Sequence, residues 1–178
     1  EDLLGRNLVP PSQNYLRSNI TDKVVLITGA GGSIGSELCR QIIQLDPKKI
    51  ILFEQNEYAL YSIDQELKEL IHQSSDIAIT PILSSVLDND KVEQVCKSFS
   101  VHTIYHTAAY KHVPMIELNI FSGIENNIFG TLSCAKASIA ANVEVFILIS
   151  TDKAVRPTNA MGATKRFSEL ILQALAKN

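Results

Sequence analysis

The chain has 178 residues, 46% of them apolar and 20% charged, enough for one full-sized core and too apolar for long disordered tracts. A formal net charge of −3 leaves no excess of Lys and Arg to neutralise phosphates, which argues against nucleic acid as a partner. No run approaches the roughly 18–20 apolar residues of a spanning helix. Cys39, Cys96 and Cys134 are odd in number and set in apolar helical patterns. They read as buried free thiols in a reducing cytoplasm rather than as disulfides or metal ligands.

The first 22 residues contain Pro10-Pro11 and no sustained period, which predicts an extended arm with at most a short helical piece. Val24-Val25-Leu26-Ile27 is short, apolar and β-branched, the pattern of a parallel strand buried on both faces. It runs directly into a glycine-rich turn. Ile34, Leu38, Ile42 and Leu45 then recur at helical spacing until Pro47 stops the helix. The alternation continues with strand Ile50-Ile51-Leu52-Phe53 and a helix carrying Leu60, Ile63, Leu67, Leu70 and Ile71. A third strand lies within 77–83, a short helix runs through Val92, Val95, Cys96 and Phe99, and Thr103-Ile104-Tyr105 forms the fourth strand. Ile124, Ile128, Leu132, Ala135 and Ile139 mark one long helix, Val145 to Ile149 a fifth strand, and Leu170, Ile171, Ala174 and Leu175 the stripe of a last helix over about 161–176.

Repeated strand and helix units of this size imply right-handed crossovers and a doubly wound parallel sheet, an α/β fold of Rossmann type. Residues 1–22 are read as an arm or connector and 23–178 as the domain. The chain opens at Glu1 without Met and stops after the last helix, before any sixth strand or substrate-covering portion. The expectation is the N-terminal part of a larger catalytic domain.

Gly29-Ala30-Gly31-Gly32-Ser33-Ile34-Gly35 stands between a predicted strand and a predicted helix, the context in which such a pattern binds a dinucleotide. Gly29 allows the tight turn, Gly32 close approach of a pyrophosphate, and Gly35 packing of helix on strand. The amides and dipole at Ser33 and Ile34 attract phosphate. Glu54 ends the second strand 54 − 35 = 19 residues after Gly35, where a carboxylate accepts from an adenosine ribose. A ribose 2′-phosphate there would meet a like charge, so NAD is favoured over NADP.

The spacing of Gly29, Gly32 and Gly35 resembles that of the extended short-chain dehydrogenase/reductases. His106-Thr107-Ala108-Ala109 and Asn127-Ile128-Phe129-Gly130-Thr131 are similar to the segments of that superfamily that line the cofactor, which implies contacts from Ala108, Ala109 and Asn127. Ser85-Val86-Leu87-Asp88 matches the adenine-contacting segment in part, with Ser85 in place of its first Asp. A narrower likeness lies in Ser150-Thr151-Asp152-Lys153 through Lys165-Arg166, in Ala108-Ala109-Tyr110-Lys111-His112-Val113-Pro114 and in the arm Glu1 to Arg6. These resemble the UDP-N-acetylglucosamine 4,6-dehydratases of bacterial polysaccharide and glycan synthesis. The usual Tyr-x-x-x-Lys is here Met161-Gly162-Ala163-Thr164-Lys165, as in the long, membrane-anchored members. That implies a homo-oligomer and a parent at the cytoplasmic face of the bacterial inner membrane, with this domain in the cytoplasm.

The reaction implied removes hydride from C4 of the sugar to NAD, takes a proton from C5, expels the C6 hydroxyl and returns the hydride to C6. Lys153 is assigned as the C5 base and Asp152 as the C6 acid. Met161 and Lys165 share a helix face; Lys165 holds the nicotinamide ribose, and Met161, lacking a titrating proton, packs. The C4 hydroxyl proton leaves through Thr151, Asp152 or water. Lys111 and His112 are placed near the nucleotide-sugar substrate, and His72 and His102 are read as structural or solvent-facing. A nucleotide-sugar 4-epimerase, or a dinucleotide-binding sensor that has lost its chemistry, are the alternatives.

Overall fold

The computed structural model describes residues 13–71 and 77–177, with side chains from Arg17 onward. Pro10-Pro11, the Glu1 to Arg6 segment and His72 lie outside the described residues. The elements in order are α1 (Gln13–Ile20), β1 (Val24–Thr28), α2 (Ser33–Ile43), β2 (Lys49–Glu54), α3 (Glu57–Leu70), β3 (Ala78–Leu83), α4 (Asn89–Phe99) and β4 (Thr103–His106). There follow α5 (Val113–Leu118), α6 (Ile120–Ile124), a π-helical turn (Glu125–Phe129), α7 (Gly130–Ala140), β5 (Val145–Leu148), a 3₁₀ turn (Asp152–Ala154) and α8 (Ala160–Leu175).

The five strands are all parallel, in the order β3-β2-β1-β4-β5. Order reverses between β1 and β4, so a crevice opens there beyond the strands' carboxyl ends. Strands β1, β2 and β4 are buried along nearly their whole length, and β1 and β2 accordingly carry continuous apolar runs. The edge strand β3 is half exposed and accommodates Pro81.

Two apolar clusters cover the two faces. One joins Val25, Ile27, Ile50 and Leu52 to Cys39, Ile42, Ile63 and Leu67 of α2 and α3. The other joins Leu26, Ile51, Phe53 and Ile104 to Val92, Val95 and Cys96 of α4 and Cys134 of α7. All three cysteines are free and buried, and burial pushes the Cys39 thiol up to about 12 and the Cys96 thiol up to about 11. Ile20, within the stretch expected as an arm, is 1% exposed and belongs to the first cluster; the Asn19 carbonyl accepts from Thr103 Oγ1 at 2.8 Å.

The long helix marked by Ile124, Ile128, Leu132, Ala135 and Ile139 differs from expectation. It is broken by the π-helical turn, and its inward face combines the expected Ala135 with Asn126, Asn127, Thr131, Cys134 and Ser138, while Ile139 is 58% exposed. The extra residue per turn in 125–129 rotates the following α7. The hydroxyls of Thr131 and Ser138 on that face pair with backbone: Thr131 Oγ1 with the Asn127 carbonyl at 2.6 Å and Ser138 Oγ with Ala135 O at 2.7 Å.

Candidate functional site

The crevice is built first by backbone. Beyond β1, Gly29 turns the chain at φ 66°, where an L side chain is strained. An added Cβ there would also lie 2.8 Å from the Ala108 backbone. Gly29 N donates to the Phe53 carbonyl at 2.8 Å and Gly32 N to the Gly29 carbonyl at 3.0 Å, which ties the loop to the end of β2. Helix α2 begins at Ser33 with Gly32 as N-cap and no capping side chain, whereas Asn56, Asp88 and Asn159 cap α3, α4 and α8. Its first amides, at the positive end of the helix dipole, are therefore left uncapped at the crevice, an arrangement that could hold an anion.

Two adjoining cavities share Gly29, Gly32, Thr107, Ala109 and Tyr110. The one on the β2 side, of about 280 Å³, has Glu54, Ser84, Val86 and Ala108 in its wall. Glu54 is 9% exposed. Its Oε1 accepts from the Gln55 and Asn56 amides at 2.9 Å each, and Oε2 accepts from the Gly31 amide at 3.2 Å. The carboxylate thus braces the glycine loop and keeps lone-pair capacity toward the cavity. Ser85 departs from its expected place: Ser84 is in the wall, while Ser85 Oγ accepts from Leu87 N at 3.2 Å within its own turn. Asn127 departs as well. It is 1% exposed and turned inward, and its neighbour Asn126 lines the cavity.

The second cavity, of about 310 Å³, faces the start of α2 and gathers Ser33, Ile34 and Gly35 with Thr151, Lys153, Met161 and Lys165. Lys111 also lines it, with Nζ 3.3 Å from Ser33 Oγ across the opening. Lys165 is 5% exposed, and burial pushes its ammonium down to about 8 with Glu169 opposing that shift. Met161 is buried beside it at 3% exposure. The start of α8 lies against the 3₁₀ turn at Gly162, where a Cβ would stand 2.3 Å from the Lys153 carbonyl. His112 lies outside this cavity, in a neighbouring groove of about 660 Å³ with Met115 and Ile116.

Asp152 is the one residue of the expected catalytic group that does not line the cavity. Its side chain is 89% exposed and its carboxylate is 3.6 Å from Lys153 Nζ. The Thr151 hydroxyl, donating at 2.9 Å, and then the Lys153 charge hold its carboxyl below the usual range, the opposite of what a proton donor near neutral pH requires. His102 is structural, its Nδ1 accepting from Val24 N at 3.2 Å.

Sequence reasoning left Tyr110 without a role, although it lines both cavities and the neighbouring groove. Its backbone is held at both ends by one side chain: Tyr110 N donates to Asn127 Oδ1 at 2.8 Å, and Asn127 Nδ2 donates to the Tyr110 carbonyl at 3.0 Å. The signal available was a buried-type Asn pair in a helix otherwise marked by Ile and Leu.

Residues 25–178 match the family model described as polysaccharide biosynthesis protein. The chain belongs to this family. It is 45% identical over 175 residues to the capsular polysaccharide biosynthesis protein CapD of Staphylococcus aureus, covering 98% of this chain and 29% of that protein. It is 30% identical over 153 residues to a UDP-N-acetylglucosamine 4,6-dehydratase (inverting) of Campylobacter jejuni, covering 85% and 43%. Over 157 residues it is 31% identical to a UDP-glucose 4-epimerase of Rickettsia bellii, covering 88% and 44%. The chain therefore spans less than half the length of these curated relatives. Among solved structures, Pen from Bacillus thuringiensis aligns with a TM-score of 0.79 at 31% identity, covering 88% of this chain and 47% of that one. DesIV, a dTDP-glucose 4,6-dehydratase from Streptomyces venezuelae with NAD and TYD bound, aligns at 0.74 and 20% identity, covering 87% and 52%, a likeness of fold alone. This member of the polysaccharide biosynthesis family is thus related to nucleotide-sugar dehydratases and epimerases of the short-chain dehydrogenase/reductase type.

Proposed function

We propose that this chain is the NAD-binding part of a nucleotide-sugar 4,6-dehydratase acting on UDP-N-acetylglucosamine. The observation that carries the reading is the convergence of Thr151, Lys153, Met161 and Lys165 on one cavity facing the uncapped start of α2. The site fits a dinucleotide: the α2 amides suit a pyrophosphate, and Glu54 lies where a ribose hydroxyl would donate. Val86 and Ala108 would flank the adenine, and Lys165 would hold the nicotinamide ribose. NAD, when bound, supplies the oxidation at C4 of the sugar and the later reduction at C6.

The remaining work falls to side chains of this chain. Lys153 removes the C5 proton, which a neighbouring ketone makes acidic, and Asp152 protonates the departing C6 hydroxyl. For Asp152 to hold a proton it must be covered when sugar binds, because solvent and Thr151 favour its carboxylate here. Met161 supplies an apolar wall. Lys111 lies at the mouth, where it would meet a phosphate or hydroxyl of the substrate. Opposition between the Glu54 carboxylate and a 2′-phosphate supports NAD over NADP. The reading includes a homo-oligomeric parent anchored at the cytoplasmic face of the membrane; no helix among the described residues is long and apolar enough to cross one.

The exposure of Asp152 favours a second reading, a 4-epimerase, which oxidises the same carbon and needs no acid at C6. Incubating the full-length protein with UDP-N-acetylglucosamine and NAD tests the first. A UDP-4-keto-6-deoxy sugar is expected, and an unchanged sugar skeleton with inverted C4 would replace the dehydratase reading with the epimerase.

A further inference from the structure

A buried polar relay lies beneath the crevice. His106, at the end of β4, has no exposed surface; its Nδ1 is 2.8 Å from Thr28 Oγ1 of β1 and its Nε2 is 3.1 Å from Thr131 Oγ1 of α7. Thr131 Oγ1 lies 2.6 Å from the Asn127 carbonyl, which also accepts from Ser168 Oγ of α8 at 2.8 Å. The Asn127 side chain holds both backbone groups of Tyr110 and donates to Thr164 Oγ1 at 3.0 Å, one residue before Lys165.

Counting protons gives the relay a direction. A carbonyl can only accept, so the single hydroxyl proton of Thr131 points to Asn127. His106 Nε2 must then donate to Thr131. Its Nδ1 is left bare and accepts from Thr28, whose oxygen in turn accepts weakly from Ala108 N at 3.4 Å. The imidazole is thereby committed as the neutral Nε2–H tautomer.

We propose that His106 is a positioning residue: through the ordered relay His106–Thr131–Asn127 it fixes Tyr110 and α8, and with α8 the place of Lys165, against the glycine loop. The inference rests on the reading of the crevice as catalytic. Burial, then the Lys165 charge, pushes the His106 imidazole down to about 3, so it stays neutral at working pH. Of the charged and titratable groups packed around it, Tyr110 and Lys111 from the loop after β4 and Lys153 from the 3₁₀ turn share the cavity of Lys165, His106 of β4 feels its charge, and Glu169 on its own helix, itself paired with Arg166, acts on it; Asp152 pairs with Lys153 outside the cavity. A loosened α8 would let water reach the Lys165 ammonium and relieve the burial that lowers it.

The test uses the full-length protein with bound NAD. Thr131→Val keeps the shape and removes both relay bonds, and Thr131→Ser keeps the hydroxyl. Thr131→Val should slow C4 oxidation about tenfold or more at saturating sugar, with NAD and sugar affinities within about twofold of the parent. The charged ammonium of Lys165 is the form that would hold the ribose, so its deprotonation sets the alkaline limb of the rate, and Thr131→Val should move that limb upward by about half a unit or more. Thr131→Ser should restore both. His106→Gln, whose side-chain amide still reaches Thr131, should lie nearer the parent than His106→Asn. Loss of activity only in proportion to unfolded protein, with the pH limb fixed, would reduce the relay to a structural role and overturn the proposal, as would a Thr131→Val enzyme that matches the parent. Imidazole ¹⁵N shifts separate the two layers: a protonated or Nδ1–H His106 near pH 6 overturns the relay even in an active enzyme. The Nε2–H form in a protein inert toward nucleotide sugars supports the relay's proton order and refutes the catalytic reading instead.

Discussion

Three backbone amides converge on the Glu54 carboxylate, two from the turn after β2 and one from the glycine loop. In Glu54→Gln one terminus of the side chain becomes a donor facing an N–H, leaving a nearly buried amide unsatisfied. A loss of about 1–2 kcal/mol in denaturant unfolding is expected. Calorimetric titration should show NAD binding weakened about fivefold or more and the preference over NADP reduced. An unchanged preference would leave Glu54 as a loop brace only. His106 carries a pH dependence of the same sign as a paired carboxylate. Its folded pKa is about 3, below the roughly 6.5 of an unfolded His. Below pH 6.5 the unfolded chain therefore takes up a proton that the folded chain refuses, and stability falls on acidification at about 1 kcal/mol per pH unit. Unfolding midpoints measured between pH 7 and 5 should show that slope, and His106→Gln should flatten it. Equal slopes would contradict the assignment. The glycine spacing and the position of Glu54 were legible in the sequence because a turn at positive φ and a strand-end acid leave a chemical signature. The brace made by Glu54, the inward turn of Asn127 and the displacement of Ser85 by Ser84 were not, because each depends on a neighbour distant in the chain.

The strands could be read almost residue by residue, since Val24–Ile27, Ile50–Phe53 and Val145–Leu148 are uninterrupted apolar runs between turn residues. The helix over 120–140 misled for a physical reason. Periodicity assumes 3.6 residues per turn, and the π-helical turn at Glu125–Phe129 breaks that assumption while buried Asn127, Thr131 and Ser138 pair with backbone. Hydrophobicity then no longer marks the inner face. The junction between the 3₁₀ turn and α8 gives two predictions. Gly162→Ala would place a Cβ 2.3 Å from the Lys153 carbonyl, so α8 must shift or the turn must move. A stability loss of about 1–3 kcal/mol is expected, together with a rate loss exceeding that of an Ala substitution elsewhere on α8. Arg156 sits at φ 50° immediately before Pro157, a costly conformation for a residue with a long side chain. Arg156→Gly should stabilise the fold by up to about 1 kcal/mol in thermal unfolding; destabilisation would show that the Arg side chain holds this turn.

At the scale of the whole molecule the sheet order β3-β2-β1-β4-β5 brings the end of β1, the loop after β4 and the segment after β5 to one crevice, although they lie far apart along the chain. That convergence explains why residues identified from local motifs, Ser33, Lys111, Lys153 and Lys165 among them, share one wall. It also explains why Asp152 stands apart: it belongs to the same motif as Lys153 but to the outer side of the 3₁₀ turn, and a motif does not record which side faces the cavity. The decisive question is whether the carbon oxidised at the start of the cycle is the one reduced at its end. Full-length protein and UDP-N-acetylglucosamine carrying deuterium at C4 answer it directly by NMR of the product. The account predicts a 4-keto-6-deoxy sugar with the deuterium on C6; deuterium retained on C4, with an intact C6 hydroxyl, would contradict it.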